Sequence, residues 1–447
     1  MQGWVRVEGG VEQTIQRLLG ALLAQGVVHG LLVPLRTPDG RNAVPTLVRD
    51  PALLERAAPL APVLPVNGGT VLGQVTATGA PGRVGAVLRN CELRAAVELS
   101  KVRQVVLDDV ILIGIDCLGT YPVQDYARLV EQGLDPVAPL LAAASSPSPL
   151  LHLSPSLRPA CTMCERPIPG AGESYPPHVT IGLLGVPNAE RLWVTVRDES
   201  LGEGIAGVLG LEPAPVIPSA AQPVIPSAAR NLTEPAPVIP SAAQPVIPSA
   251  ARNLTEPAPV IPSAAQPVIP SAARNLAEPA TRVEAIRALI AVRAAERDRR
   301  FATLRERLHE PQALLAQFAT CIHCQNCMRA CPICYCKECV FRTDVFDHPS
   351  ARYWDWAERK GGVRLPSDTL LFHVTRLLHM VHACVGCGMC SDACPVGIPV
   401  ADVFRAVGQA VQARFGYVPG RDPAEEMIVS TFREDELREL GEPEKPG

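Results

Sequence analysis

The sequence is poor in aromatic side chains, which make up 4% of it, and it carries no excess of positive charge. Its 41 Lys and Arg stand against 45 Asp and Glu, a formal net of −4. A polyanion would find little to bind, so no nucleic-acid partner is expected. No run of about eighteen uncharged apolar residues occurs, so no membrane-spanning helix is expected either. Behind Trp4 come Arg6 and Glu8, where a secretory leader would need an apolar core. Gly68-Gly69-Thr70 and Gly79 to Gly85 are glycine-rich, yet no G-x-G-x-x-G follows a clear strand, and a dinucleotide fingerprint is missing. These absences point to a cytoplasmic protein with no membrane span and no nucleic-acid partner.

Two residue types are abundant instead: 46 prolines and 15 cysteines among 447 residues. The chain is long enough for two or three domains. In a reducing compartment cysteines persist as thiols or metal ligands, so a disulfide scaffold is the weaker reading.

The prolines mark out a segment. From Glu212 a 22-residue unit repeats, with Glu234, Glu256 and Glu278 at successive boundaries, and each unit holds five prolines and two copies of VIPSAA. Proline breaks helix interiors and removes ladder donors, so residues 212–280 are expected to be a disordered linker rather than a solenoid. A docking tether is the functional alternative.

Residues 1–211 predict an α/β domain. Val11, Ile15, Leu18, Leu19, Leu22 and Leu23 recur at helical spacing, and the apolar run Val27 to Leu35 predicts a strand. Further strands are expected at Gly82 to Leu88, Val105 to Ile115, His178 to Gly182 and Arg191 to Val196, with a helix from Cys91 to about Arg103. Residues 281–447 predict helices only. Their apolar stripes run from Thr281 to about Leu308, Leu370 to Val381, and Val400 to Phe415. The expected fold class is thus α+β: an N-terminal α/β domain and a C-terminal all-helical, α-helical ferredoxin-like dicluster domain, separated by the Pro/Ala-rich insert.

The chemistry lies in the cysteine spacing. Cys321, Cys324, Cys327 and Cys331, followed by Pro332, read C-x2-C-x2-C-x3-C-P; Cys384, Cys387, Cys390 and Cys394, followed by Pro395, read the same. Two-residue gaps let a loop curl round one 4Fe-4S cubane, while the fourth thiol points to a second. The expected ligand sets are therefore crossed. Cys321, Cys324, Cys327 and Cys394 hold one cluster; Cys384, Cys387, Cys390 and Cys331 hold the other. Zinc is the rival for four thiolates, but its sites pair two C-x2-C knuckles without the third cysteine and the C-P ending. The 52 residues between the runs favour helices, not a compact hairpin, as the device that joins them.

Seven cysteines remain. Cys334, Cys336 and Cys339 continue from the first run, and three readings stay open: thiols shielding a cluster, ligands of another metal, or small buried apolar groups. Cys91, Cys117, Cys161 and Cys164 are expected at the ends of strands and helices, where functional side chains of open sheets gather. They are either a third cluster site or separate buried thiols. His323 is expected to cover or tune a cluster rather than ligate it. His373, His379 and His382 are expected to pack or lie at the surface, since no carboxylate box accompanies them, and Trp354 and Trp356 are expected to be packing residues.

Several phrases together resemble a known family. Arg89-Asn90-Cys91-Glu92-Leu93-Arg94-Ala95, the run Ile113-Gly114-Ile115-Asp116-Cys117-Leu118-Gly119-Thr120, and Cys161-x2-Cys164-Glu165 resemble the beta subunits of coenzyme F420 hydrogenases and dehydrogenases. CIHCQNCMRACPICYCKEC, LPSDTLLFHVTRLLHM, CVGCGMCSDACPVGIPV and FGYVPGRDPAEE look like the version found in formate dehydrogenase beta subunits, and are similar to the two-cluster subunit of heterodisulfide reductases. The resemblance covers about 11–210 and 281–438. It implies an oxidoreductase subunit that passes electrons between 4Fe-4S clusters and a flavin, FAD, serving the deazaflavin coenzyme. Its implied partner is a catalytic formate dehydrogenase, hydrogenase or heterodisulfide reductase subunit. No sequence marker places a flavin site or a catalytic residue. The alternative is a pure electron-relay subunit with neither flavin nor substrate site.

Overall fold

The computed structural model describes residues 1–145, 157–197, 207–208, 210–213 and 278–430. Almost all of the repeat segment, and with it the expected disorder, lies outside the described residues. So does the end of the chain beyond 430.

Among the described residues there are eight strands, seven before the repeats and one, β8, on the first two residues of the segment expected to be disordered. They form one mixed sheet in the order β3-β2-β4-β5-β6-β7-β1-β8. β2 (Gly30–Arg36), β4 (Val84–Leu88), β5 (Val110–Ile115) and β6 (Val179–Gly182) run parallel at its centre. Every residue of β4 and β5 is buried, as expected of VGAVL and VILIGI covered on both faces. β3 (Ala43–Val48), β7 (Arg191–Val196), β1 (Gln2–Arg6) and the two-residue β8 (Glu212–Pro213) complete it through antiparallel pairs. The α1 helix (Val11–Ala24) buries Ile15, Leu18, Leu19 and Leu22 on one face, the stripe its spacing predicts.

Some expectations need correction. The strand expected from Val105 starts only at Val110, because Asp109 takes a left-handed conformation, φ 56°, and the preceding residues form a turn. β1, β3 and the α2 helix (Gly68–Thr76) were not foreseen. The Trp354 side chain is 77% exposed, so it does not pack; its helix, Ser350–Lys360, buries none of its residues.

No strand occurs among described residues 278–430. The helices are Ala280–Arg307, Pro311–Gln317, Asn326–Arg329, Ser350–Lys360, Thr369–Met380, Met389–Asp392 and Val400–Arg414. The described residues before and after the repeats cluster as one compact unit. Leu289, on the long helix Ala280–Arg307, belongs to the same apolar core as the sheet residues Ile113 and Ile181. Arg282 on that helix is 1% exposed and grips Asp116, at the end of β5, through both guanidinium nitrogens. Asp116 also accepts the backbone N–H groups of Leu183 and Leu184, at 2.9 and 3.0 Å.

Candidate metal centres

The two cysteine loops share a backbone design. In the first, His323 and Gln325 are left-handed, with φ 57° and 61°; in the second, Gly386 and Gly388 occupy the same places with φ 72° and 76°. Each loop then enters a one-turn helix, Asn326–Arg329 or Met389–Asp392. Alternate left-handed residues curl the chain so that the thiols before and after them face one volume. Packing explains why only the second loop uses glycine. A Cβ on Gly388 would lie 2.3 Å from the Cβ of Ala160, and one on Gly386 2.8 Å from Nε of Arg405. The first loop carries side chains instead: His323 sits edge-on to Phe372, and Gln325 donates to the Phe341 carbonyl at 2.8 Å.

One space, about 300 Å³ free of atoms and partly open to solvent, is lined by Cys321, Cys324, Cys327 and Cys394 together with Phe372 and His373. Three of these thiols come from the first run and one from the second. Backbone N–H groups already serve two of them: His323 donates to Sγ of Cys321, and Ile398 to Sγ of Cys394, each at 3.3 Å. Burial pushes the Cys327 thiol up to about 11, against the nearby Arg376 charge that pulls it down.

Cys331, Cys384, Cys387 and Cys390 form a second group. Burial raises all four thiols, Cys387 to about 12, and next to burial the charge of Cys331 is the largest influence on both Cys387 and Cys390. Crowded in a dry setting, these thiols penalise one another's ionisation. Among the described residues, no three His, Cys, Asp or Glu side chains meet at a point fit for a single ion. Cys321, Cys324, Cys327 and Cys394 surround a volume, which suits a cubane.

The four N-terminal cysteines, far apart in sequence, line a further space of about 400 Å³. Cys91 lies in the first turn of the α3 helix (Asn90–Lys101), directly after β4, and Cys117 lies just beyond β5. Cys161 sits in the short helix Pro159–Thr162, with Cys164 two residues past its end. Cys91 and Cys117 are half-buried and line this space, and burial raises both thiols, Cys117 to about 11. Cys161 goes the other way: against burial, the Arg158 charge and the Thr120 hydroxyl at 3.3 Å bring it down. Cys387, from the second group, lines the same space, as do Arg89, Arg158 and Arg293. A thiol-rich donor set ringed by buried guanidinium groups fits an anionic iron–sulfur cluster.

Sequence reasoning passed over these arginines. Arg158 donates to Asp392 at 2.7 Å and to the Thr120 hydroxyl at 2.7 Å, and its NH2 lies 3.8 Å from Sγ of Cys161. Arg405 bonds the Met163 carbonyl at 2.9 Å and pairs with Glu165, whose carboxyl is held at about 2 despite burial, chiefly by that guanidinium. The FGYVPG phrase is a latch. Its Pro419 carbonyl and Gly420 N–H meet Arg94 and Glu98 of α3, each at 2.7 Å, and Tyr417 bonds Glu98 at 2.7 Å. An arginine in a sequence carries no mark of burial, so no local signal would have singled these out.

The remaining candidates are less involved. Neither cavity is lined by Cys334, Cys336 or Cys339. Cys336 is exposed, Cys339 lies 3.9 Å from Sδ of Met328, and burial raises Cys334 to about 11. His373 stacks on Phe318 with ring centres 4.1 Å apart, and its Nε2 is 3.4 Å from Sγ of Cys321. Burial brings His373 down to about 4. A neutral imidazole there can cover the Cys321 sulfur.

Known proteins match this arrangement. The model of the 4Fe-4S dicluster domain matches residues 317–398, which include both cysteine runs. A 102-residue stretch, 23% of the chain, is 36% identical to the F420-dependent formate dehydrogenase subunit beta of Methanocaldococcus jannaschii, spanning 24% of that protein. Over 426 residues, 91% of the chain is 22% identical to 90% of the F420-dependent formate dehydrogenase 1 subunit beta of Methanococcus maripaludis. The chain is similar to these beta subunits, at low identity over nearly its full length to one and at higher identity over a shorter stretch to the other. A chain of the F420-reducing NiFe hydrogenase complex from Methanosarcina barkeri overlays it at a TM-score of 0.33 and 13% identity, covering 47% of this chain and 79% of that one. That distant likeness supports nothing further.

Proposed function

We propose that the chain is an electron-transfer subunit with three 4Fe-4S clusters and a flavin, FAD, working beside a catalytic oxidoreductase subunit. The observation that carries this is the interleaving of thiols: Cys394 of the second run lines a space with Cys321, Cys324 and Cys327 of the first. Cys384, Cys387, Cys390 and Cys331 would hold the second cluster. Cys91, Cys117, Cys161 and Cys164 would hold the third, for which Cys387 as a shared wall makes the second its neighbour. When bound, such clusters exchange single electrons at potentials tuned by charge, hydrogen bonds and exposure.

The protein's own contribution is placement. The left-handed loops aim the thiols, Phe372 and Val400 give the first space apolar walls, and Arg89, Arg158 and Arg293 would offset anionic charge at the third. In this reading residues 1–211 form the beta-subunit portion with FAD, 281–447 the helical dicluster portion, and 212–280 a linker. The relatives' names supply the class of chemistry: both are beta subunits of F420-dependent formate dehydrogenases. The partner would be a formate dehydrogenase or hydrogenase catalytic subunit, a heterodisulfide reductase being the further option. Among the described residues no helix is long and apolar enough to cross a membrane. The cytoplasm, which keeps thiols reduced, is the proposed compartment.

Anaerobic purification with iron, acid-labile sulfide and flavin measured per chain tests the reading. We expect about twelve irons and one flavin. About eight irons would remove the third cluster, and full iron without flavin would leave a pure relay. A colourless protein containing zinc would overturn the proposal.

A further inference from the structure

Arg376 lies on the helix Thr369–Met380, between the two cysteine runs in sequence. It is 2% exposed. One guanidinium nitrogen donates to Sγ of Cys327 and another to the Cys327 carbonyl, both at 3.0 Å. The group is wedged between the rings of Phe372 and Phe404, 5.4 and 5.2 Å from their centres. Among the described residues no carboxylate pairs with it, and its Nε is buried with no hydrogen-bond partner.

A buried cation without a counterion is costly, and such a site persists only where anions compensate it. Here the Cys327 sulfur, 3.0 Å from the guanidinium, does so when it is a thiolate. Cys327 belongs to the first ligand set. Arg158 marks the other junction, between Cys161 and the second loop, but there Asp392 at 2.7 Å cancels much of its charge. Arg376 is the uncompensated one.

We propose that Arg376 is an electrostatic bridge to the first cluster, a fixed cation that holds its potential more positive than its thiolates alone would. The inference rests on the cluster assignment above. Reduction adds a negative charge to a cluster, and a desolvated cation nearby stabilises that form.

Arg376→Met and Arg376→Lys, made in the full chain and purified anaerobically, test it by two separate readouts. Iron and sulfide per chain report whether clusters are present; potentiometric titration followed by electron paramagnetic resonance reports their midpoints. With iron content unchanged, the Met variant should show the midpoint of the cluster on Cys327 at more negative potential. The Lys variant keeps the charge and loses the fork, and should fall between wild type and Met. Full iron with that midpoint unmoved in the Met variant overturns the bridge and leaves the cluster assignment standing. Wild-type protein without iron would instead overturn the assignment. Should the Met variant lose iron, the Lys variant decides: a negative shift at the Cys327 cluster supports the bridge, and a wild-type midpoint there refutes it.

Discussion

Cys394 stands in one run and lines the space of the other, which makes it the sharpest test of the ligand sets. Cys394→Ala should remove the cluster shared with Cys321, Cys324 and Cys327, about four irons, while the signal from Cys384, Cys387, Cys390 and Cys331 survives. Resonance spectra that lose only the second signal would show that each run serves its own cluster. The glycine contrast between the loops yields another residue-scale test. Gly388→Ala adds a Cβ at φ 76° and 2.3 Å from Ala160, so it should cost ~1–3 kcal/mol in strain and loosen the second loop. Gln325→Gly removes side-chain bulk at the corresponding left-handed position and should be nearly neutral. A lower melting temperature for Gly388→Ala, with little change for Gln325→Gly, is the expected pattern. Equal effects would refute the argument that the second loop is pinned by its neighbour.

At the scale of elements, the Arg282–Asp116 pair fixes the long helix Ala280–Arg307 to the end of β5. Arg282→Met would leave Asp116 buried and missing its charge partner, expected to cost about 3–5 kcal/mol. The double variant with Asp116→Asn should recover part of that, because the orphaned charge goes. Thermal unfolding of the two variants checks the order; a double variant no better than Arg282→Met would mean that the pair's charge is not what matters. This contact also shows what could be read in advance. The helices Ala280–Arg307, Thr369–Met380 and Val400–Arg414 were legible because their apolar stripes are local, and the cysteine runs because cluster geometry demands close spacing. β3 was not, since Pro45 interrupts AVPTLV, a break that an edge strand tolerates and a pattern search reads as an ending. Nor was the pairing of Arg282 with Asp116, nor Arg376 with Cys327. Partners distant in sequence leave no periodicity behind. Trp354 misled for the opposite reason: a large apolar side chain suggests a core, and this one faces solvent on a helix that buries nothing.

Across the whole molecule, composition divides the chain in three, whereas contacts join the portions on either side of the repeats. Arg158 to Asp392, Arg405 to Glu165, and Arg94 and Glu98 to the Pro419–Gly420 turn all link residues before the repeats to residues after them. The third ligand space shares Cys387 and Gly386 with the second loop, so the N-terminal thiols and the dicluster region are expected to load and lose iron together. The repeats carry none of the side chains in this network. Their low-complexity composition predicts that they can be shortened freely: removing residues 234–277, two of the three units, shortens the closing loop and should change stability by no more than ~1 kcal/mol, in the favourable direction. The shortened protein is expected to keep its iron per chain, and its melting temperature should be unchanged or slightly higher. Lost iron or aggregation would mean that the repeats take part in the folded unit. The physical reason to expect otherwise is that the unit is closed by buried ion pairs and sulfur cages, both of which lie wholly outside the excised residues.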